Sequence, residues 1–290
     1  MKVLVTGSRG QLGQELVNQC TIRGIECTAA GSKTLDITDQ KSVNGMVKTH
    51  NPDIIFNCAA YNDVDRAEEE WKKAFSVNGL GVKNLALAAN EYGSVLVHYS
   101  TDYVFDGNNN RPYTVADTPH PISRYGESKL FGETLVRDLC DHYFLIRVSW
   151  LFGKGNTNFV SKVLDWSREK TEIAVVDDQI SSPTYTIDLA KASLDLVSTH
   201  SFGLYHITNA GACPRYDWAR YILEKAGWTG KLLNVTSSAF KTPAQRPAYS
   251  VLDNFGTYET LGYNLPSWQD ATSRYLREIG VRAGDCWLPE

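Results

Sequence analysis

Short apolar runs and amphipathic stretches alternate through the first half of the chain. KVLVTG is an apolar run that ends in glycine. QLGQELVNQCTIRG carries its apolar residues at helical spacing and closes on Gly24. IECTAA predicts a second strand, and LDITDQKSVNGMVKTH predicts a helix that starts after Asp39. PDIIFNCAA is a third strand. DRAEEEWKKAF and GVKNLALAANEYG read as two helices, the second closed by Gly93. SVLVHYST and YFLIRVSW are further strands, separated by a helix that SRYGESK opens. Strands alternating with helices over about 150 residues predict βαβ units, a parallel sheet and right-handed crossovers.

After Trp150 the rhythm changes. LFGKGNTNF reads as a loop, followed by a helix (VSKVLDWSREK), a strand (EIAVV), a loop around Pro183 and a helix (IDLAKASLDLVSTH). The remainder mixes short elements with aromatic residues and the segment PAQRP. The fold class expected is α/β. A Rossmann-type doubly wound parallel sheet carries a smaller, mixed α/β C-terminal part at its open end. Ligands of such sheets bind beyond the carboxyl ends of the strands. This predicts a dinucleotide-binding domain over 1–150 with a returning segment near 176–207, and a substrate domain over 151–175 and 208–290.

The chain has 290 residues and a formal net charge of −4. The mild acidity argues against a general nucleic-acid binder, which would carry a basic excess. No apolar run approaches the roughly 20 residues of a membrane span, and MKVLVTG is too short to act as a signal peptide. A soluble, cytoplasmic chain with no membrane partner is expected. Its six cysteines (Cys20, Cys27, Cys58, Cys140, Cys213 and Cys286) include no CxxC pair and read as free thiols. The histidines show no HxxxH spacing and no cysteine company, so no metal site is expected from them.

Gly7, Gly10 and Gly13 form GxxGxxG between the first strand and the first helix. Glycines there let the backbone approach a pyrophosphate, and the helix N-terminus supplies free N–H groups and partial positive charge. A tight ligand-free βα turn is the plainer reading, and the strand–glycine–helix context favours the phosphate loop. An acid at the end of the second strand would select NAD through the ribose hydroxyls. Here that place holds Ala30-Gly31-Ser32-Lys33, and Arg9 and Lys33 could meet a 2′-phosphate. NADPH is therefore expected, with NADH as the alternative. Asp36 and Ile37 fall where an adenine could be gripped, or where a helix simply begins. Asn57-Cys58-Ala59-Ala60-Tyr61-Asn62 ends the third strand, and its small residues would let a cofactor lie against the backbone.

Tyr125 and Lys129 lie four residues apart at the start of a helix and so share a face. A neighbouring ammonium favours a phenolate, and the pair predicts a tyrosine tuned toward neutral pH as a proton donor to a carbonyl oxygen. The lysine can also reach a nicotinamide ribose. Ser100 and Thr101 end the VLVHYST strand with hydroxyls, and Thr101 is the favoured third member. Either could instead cap the turn that follows.

The glycine motif, Thr101 and Tyr125-x-x-x-Lys129 together resemble the extended short-chain dehydrogenase/reductases. Within that superfamily VTGSRGQLGQEL, PDIIFNCAAYNDVDRAE, HYSTDYVFDG, YGESKLFGE, IRVSWLFG and TPAQRP resemble the dTDP-4-dehydrorhamnose reductases, from the first strand to about residue 250. The resemblance implies hydride transfer from NADPH or NADH to the C4 ketone of dTDP-4-dehydro-L-rhamnose, with Tyr125 as proton donor. It implies cofactor contacts at Gly10, Gln11, Leu12, Asp36, Ile37, Ala60, Tyr61 and Asn62. It implies sugar-nucleotide contacts at Thr101, Asp102 and Trp150. Arg246 is added on chemical grounds, since a guanidinium suits a diphosphate; a structural arginine beside Pro247 is the alternative. The magnesium-binding acids of some family members have no clear match here, which leaves Mg2+ and the choice between monomer and homodimer open. A dehydratase would need an acid pair after the strand-end threonine, and Tyr103 breaks it. An epimerase or reductase of another 4-keto-6-deoxy sugar remains an alternative. So does an NADP-binding regulatory subunit like the β subunit of methionine adenosyltransferase.

Overall fold

The computed structural model describes residues 1–281. From the N-terminus the order is β1 (Lys2–Thr6), α1 (Gln11–Ile22), β2 (Glu26–Ala30), α2 (Gln40–His50) and β3 (Ile54–Asn57). Two short helices, α3 (Arg66–Glu69) and α4 (Trp71–Phe75), lead through a π-helical turn (Ser76–Gly81) into α5 (Val82–Tyr92). Next come β4 (Val95–Thr101), α6 (Arg124–Leu139) and β5 (Tyr143–Val148). The second half begins with β6 (Leu151–Phe152), α7 (Phe159–Glu169), β7 (Glu172–Val176), β8 (Ile180–Ser181) and β9 (Thr184–Tyr185). It continues with α8 (Thr186–Val197), β10 (Gly203–His206), β11 (Cys213–Pro214), α9 (Arg215–Ala226), β12 (Lys231–Val235), α10 (Phe255–Leu261) and α11 (Trp268–Glu278).

Six strands form the main sheet in the order β2-β1-β3-β4-β5-β10, every neighbouring pair parallel. Successive strand residues point to opposite faces. Val3, Val5, Phe56, Val97 and Ile146 therefore meet α1 and α8 on one side. Leu4, Ile55 and Leu96 meet α2, α5 and α6 on the other. Leu16, Phe56 and Leu85 are fully buried, and each such side chain stabilises the fold by roughly 1.5–3 kcal/mol. The order reverses between β1 and β3. In open α/β sheets that reversal leaves a crevice beyond the carboxyl ends of the strands.

A separate core lies in the second half. Phe152, Val163, Trp218, Ile222, Trp268 and Tyr275 join α7, α9 and α11 to the parallel pair β7–β12. Three local expectations change. The two predicted helices around residue 76 run on through the π turn. Leu151–Phe152, read as loop, pairs with β9. The last third holds two regular helices, α9 and α11, rather than only short pieces. Of the cysteines, Cys20, Cys27, Cys58, Cys140 and Cys213 are free thiols; Cys286 lies outside the described residues. Among the described residues no helix is long and apolar enough to cross a membrane.

Candidate active site

The glycine loop is built by close contact. Gly7 sits at φ +61°, the left-handed region. A Cβ there would stand 2.5 Å from the backbone of Cys58 and Ala59, at the end of β3. A Cβ on Gly13 would stand 2.4 Å from the carbonyl oxygen of Gly7. The loop is thus pressed against β3 on one side and α1 on the other. Gly10 is the N-cap of α1 and has no side chain to satisfy the first N–H groups of the helix.

Those groups open into a cavity of about 340 Å³. Gly10, Gln11, Leu12 and Gly13 form one wall, and Ala60 and Asn62 a second. Thr101, Asp102, Tyr125, Lys129 and Trp150 close it. Gln11 Oε1 is buried there with no hydrogen-bond partner. Glycines that leave no room for a Cβ and uncapped helix N–H groups fit a dinucleotide pyrophosphate, and the orphaned Gln11 acceptor suits a hydroxyl donor such as a ribose. At the end of β2 the Arg9 side chain lies over Gly31, where a Cβ would come within 3.3 Å of it. Other expected cofactor residues are engaged elsewhere. Asp36 Oδ1 accepts from the backbone and hydroxyl of Thr38, Ile37 is buried in the core, and Ala59 N–H donates to Asn57. The Tyr61 phenol donates to Glu70. Glu70 and Glu68 both have defined partners: Glu70 accepts from that phenol, and Glu68 accepts the Arg124 N–H at the start of α6.

Helix α6 carries the tyrosine and lysine. Ser123 caps it by accepting from the Gly126 N–H at 3.2 Å. Gly126 lets the helix approach closely, because a Cβ there would lie 2.2 Å from the carbonyl oxygen of Tyr103. The Tyr125 side chain lies beside the Thr101 hydroxyl in this cavity, and its ring meets Tyr103 edge-on at 5.9 Å. The three side chains singled out for chemistry are therefore together. The expected lowering of the Tyr125 pKa is absent. Burial pushes it up, and the neighbouring Thr101 hydroxyl opposes that rise. Lys129 points its ammonium at the Tyr99 carbonyl, 2.6 Å away, instead of at the phenol. Burial also lowers Lys129 to about 8, against the pull of Glu133 and Cys58.

Asp102, expected as a sugar-nucleotide contact, also holds the fold together. Its carboxylate is buried and accepts from Thr101 (3.0 Å), Ser250 (2.6 Å) and Ser181 (3.3 Å). Burial raises it to about 6 despite those bonds. It ties the end of β4 to two segments of the second half.

A second cavity, of about 780 Å³, adjoins the first across Trp150, which lines both. Trp150 holds a backbone φ of +43°, uncommon for a bulky residue and worth an account. Its ring stacks on Trp218 at 5.8 Å, and Arg215 lies 3.6 Å over it. Arg215 also faces Phe159. Among the described residues no carboxylate pairs with it directly, and burial lowers its pKa to about 10, with Tyr103 and Asp102 opposing. A guanidinium held between aromatic rings in a cavity is a ready anion site. Sequence reading overlooked Arg215. Its signal was a cation between Pro214 and Trp218 at a helix start. Arg246 lines the same cavity, and it grips Asp65 with two contacts, at 3.1 and 2.7 Å.

Comparison with known proteins gives the same frame. The family model described as RmlD substrate binding domain matches residues 1–281. The spore coat polysaccharide biosynthesis protein SpsK of Bacillus subtilis is 43% identical over 277 residues, which is 96% of this chain and 97% of that protein. The dTDP-4-dehydrorhamnose reductase of Streptomyces griseus is 38% identical over 292 residues, covering 97% of this chain and 95% of that one. Among solved structures, dTDP-4-dehydrorhamnose reductase from Bacillus anthracis in complex with NADP has a TM-score of 0.93 and 38% identity. That match covers 96% of this chain and all 100% of the other. With a glycine-built cavity, a threonine–tyrosine–lysine cluster and likeness along nearly its whole length, the chain belongs to the dTDP-4-dehydrorhamnose reductase family, the family of the RmlD substrate binding domain.

Proposed function

We propose that this protein is an NADPH-dependent reductase of the C4 ketone of dTDP-4-dehydro-L-rhamnose, giving dTDP-L-rhamnose. The observation that carries the reading is the meeting of Thr101, Tyr125 and Lys129 in a cavity that opens onto the bare N-terminus of α1. The names of the relatives support the substrate. Arg9 over an end of β2 that lacks an acid supports NADPH before NADH.

The bound nicotinamide supplies the hydride. The chain supplies everything else. Backbone N–H groups of Gln11, Leu12 and Gly13 hold the pyrophosphate. The Thr101 hydroxyl fixes the ketone oxygen. Tyr125 is kept protonated by burial, so its proton is present whenever a substrate arrives. Hydride addition turns the ketone oxygen into a strong base, and the phenol stands where it can give that oxygen its proton. Lys129 holds the ribose and steadies the phenolate left behind. Arg215, with its rings, receives the diphosphate end in the larger cavity. Arg246 holds that cavity's edge through Asp65 and is a weaker phosphate ligand. This enzyme would work in the cytoplasm as a monomer or homodimer.

An intact Thr101, Tyr125 and Lys129 set favours catalysis over a purely regulatory NADP-binding role. The test is NADPH consumption with dTDP-4-dehydro-L-rhamnose, for the wild type and Tyr125→Phe. Turnover that falls by about 10²–10⁴-fold in the variant, with cofactor affinity kept, is expected for loss of a general acid. Tight NADPH binding without wild-type turnover would sink the rhamnose assignment and favour another keto sugar or the regulatory role.

A further inference from the structure

Beneath the cluster lies a buried ionic network that the reaction, as described, does not use. Glu133 is 0% exposed and Arg147 1%. Arg147 Nε donates to Glu133 Oε1 at 2.9 Å, and its Nη2 donates to Oε2 at 2.7 Å. Ser100 donates to Oε1 at 2.5 Å. The other guanidinium nitrogen, Nη1, lies 3.4 Å from His206 Nε2, while His206 Nδ1 lies 3.0 Å from the Tyr113 carbonyl. Burial lowers the His206 pKa to about 3 and so holds the ring neutral. The Arg147 guanidinium also lies 5.0 Å over the Phe105 ring.

Such a pair is a poor device for stability alone. Apolar residues of similar volume often serve as well or better. Its position is more telling. Ser100, Arg147 and His206 are register partners across β4, β5 and β10, on the sheet face that meets α6. Ser100 immediately precedes Thr101. Glu133 is one helical turn beyond Lys129 on α6. The other titratable groups around Lys129 are Tyr125 on its own helix, Cys58 after β3 and His98 on β4. Burial keeps all three neutral. Among the described residues Glu133 is the neighbour that brings a negative charge, and Arg147 and Ser100 fix where that charge sits.

We infer that Glu133 is a positioning residue for the reduction: its carboxylate, locked by Arg147 and Ser100, keeps the buried Lys129 ammonium charged while anchoring the strand end that presents Thr101. The inference rests on the reading of Lys129 as the lysine that holds the cofactor ribose. Without Glu133 the burial that already weakens Lys129 as a cation would act unopposed. Arg147 would then add a repulsive charge in the same direction.

NADPH affinity, followed by tryptophan fluorescence from neutral pH upward, tests this without any sugar substrate. The proteins compared are wild type, Glu133→Gln, the double variant Glu133→Gln/Arg147→Met and Lys129→Met. Wild-type affinity should fall through a midpoint near the Lys129 value of about 8. Both Glu133 variants should move that midpoint down by about one pH unit or more. Lys129→Met should show no such midpoint. The double variant should melt close to wild type, because it leaves no bare buried charge. A double variant with a wild-type midpoint, or one that no longer folds, overturns the inference and leaves the pair a folding element. A midpoint that persists in Lys129→Met overturns it as well. Failure of the wild type to turn over the keto sugar would strike the substrate assignment instead and leave this result standing.

Discussion

The two cavities that meet at Trp150 are built by different means. The smaller is shaped mainly by backbone: a glycine loop, the start of α1 and the small residues after β3. The larger is shaped by side chains, with Trp150, Phe159, Trp166 and Trp218 as walls and Lys162, Arg215 and Arg246 as cations. A backbone-built site depends on where side chains are missing. A side-chain-built site depends on which ones are present and what else they already hold.

That contrast can be broken by three sets of variants. The largest effect belongs to the glycines. Gly7→Val and Gly13→Val place atoms inside 3 Å of backbone that has nowhere to go. NADPH affinity, measured by calorimetry, should fall at least about a hundredfold, since a displaced helix start loses several charge-assisted hydrogen bonds at once. Retained affinity would mean that the cavity is not the pyrophosphate site. Next comes the pair of arginines. Arg215→Ala should raise the sugar-nucleotide KM by roughly ten- to a hundredfold, in line with about 1.5–3 kcal/mol for a hydrogen bond to a charged group. NADPH affinity should stay put. Arg246→Ala should change that KM by only about threefold, because its charge is already shared with Asp65. Equal effects would erase the distinction between a guanidinium stacked on rings and one paired with a carboxylate.

The smallest effect lies at the junction. Asp102 lines the smaller cavity and bonds Ser181 and Ser250 of the second half. Its folded value of about 6 stands above the ordinary carboxyl value of 3.8. Between those values the folded protein holds the proton more tightly than the unfolded chain. Stability from this group is therefore full below the lower value and lost as pH rises through the upper one. The loss is about 1–2 kcal/mol once structural relaxation is allowed for. Asp102→Asn should flatten the fall in melting temperature over that pH window. An unchanged slope would mean that Asp102 titrates as an ordinary carboxyl.

The same contrast explains what could be read in advance. A strand, three spaced glycines and a helix carry their own geometry, so the glycine loop at the start of α1 was legible from the first thirteen residues. Tyr125 and Lys129 were legible because one helical turn sets their spacing. What Lys129 bonds to was not, since Tyr99 reaches it only through the sheet. Asp36, Ile37 and Tyr61 lie in the expected loops, yet Thr38, the core and Glu70 already occupy their side chains. Arg215 lies 90 residues from Tyr125 in sequence, and nothing local marks its partners. Glu133 and Arg147 looked like ordinary polar positions on a helix and a strand, because their burial comes from the register of β4, β5 and β10.

Trp150 has one more consequence. Its ring is a partition, held in a left-handed backbone seat and pinned between Trp218 and Arg215. A partition that is tilted from one side is tilted for both. Whatever factor an occupant of the cofactor cavity applies to the affinity of a sugar nucleotide, the sugar nucleotide must return to the cofactor, because coupling between two sites is reciprocal. A single indole would then set how far the two ligands help or hinder one another, and with it whether either order of arrival is favoured.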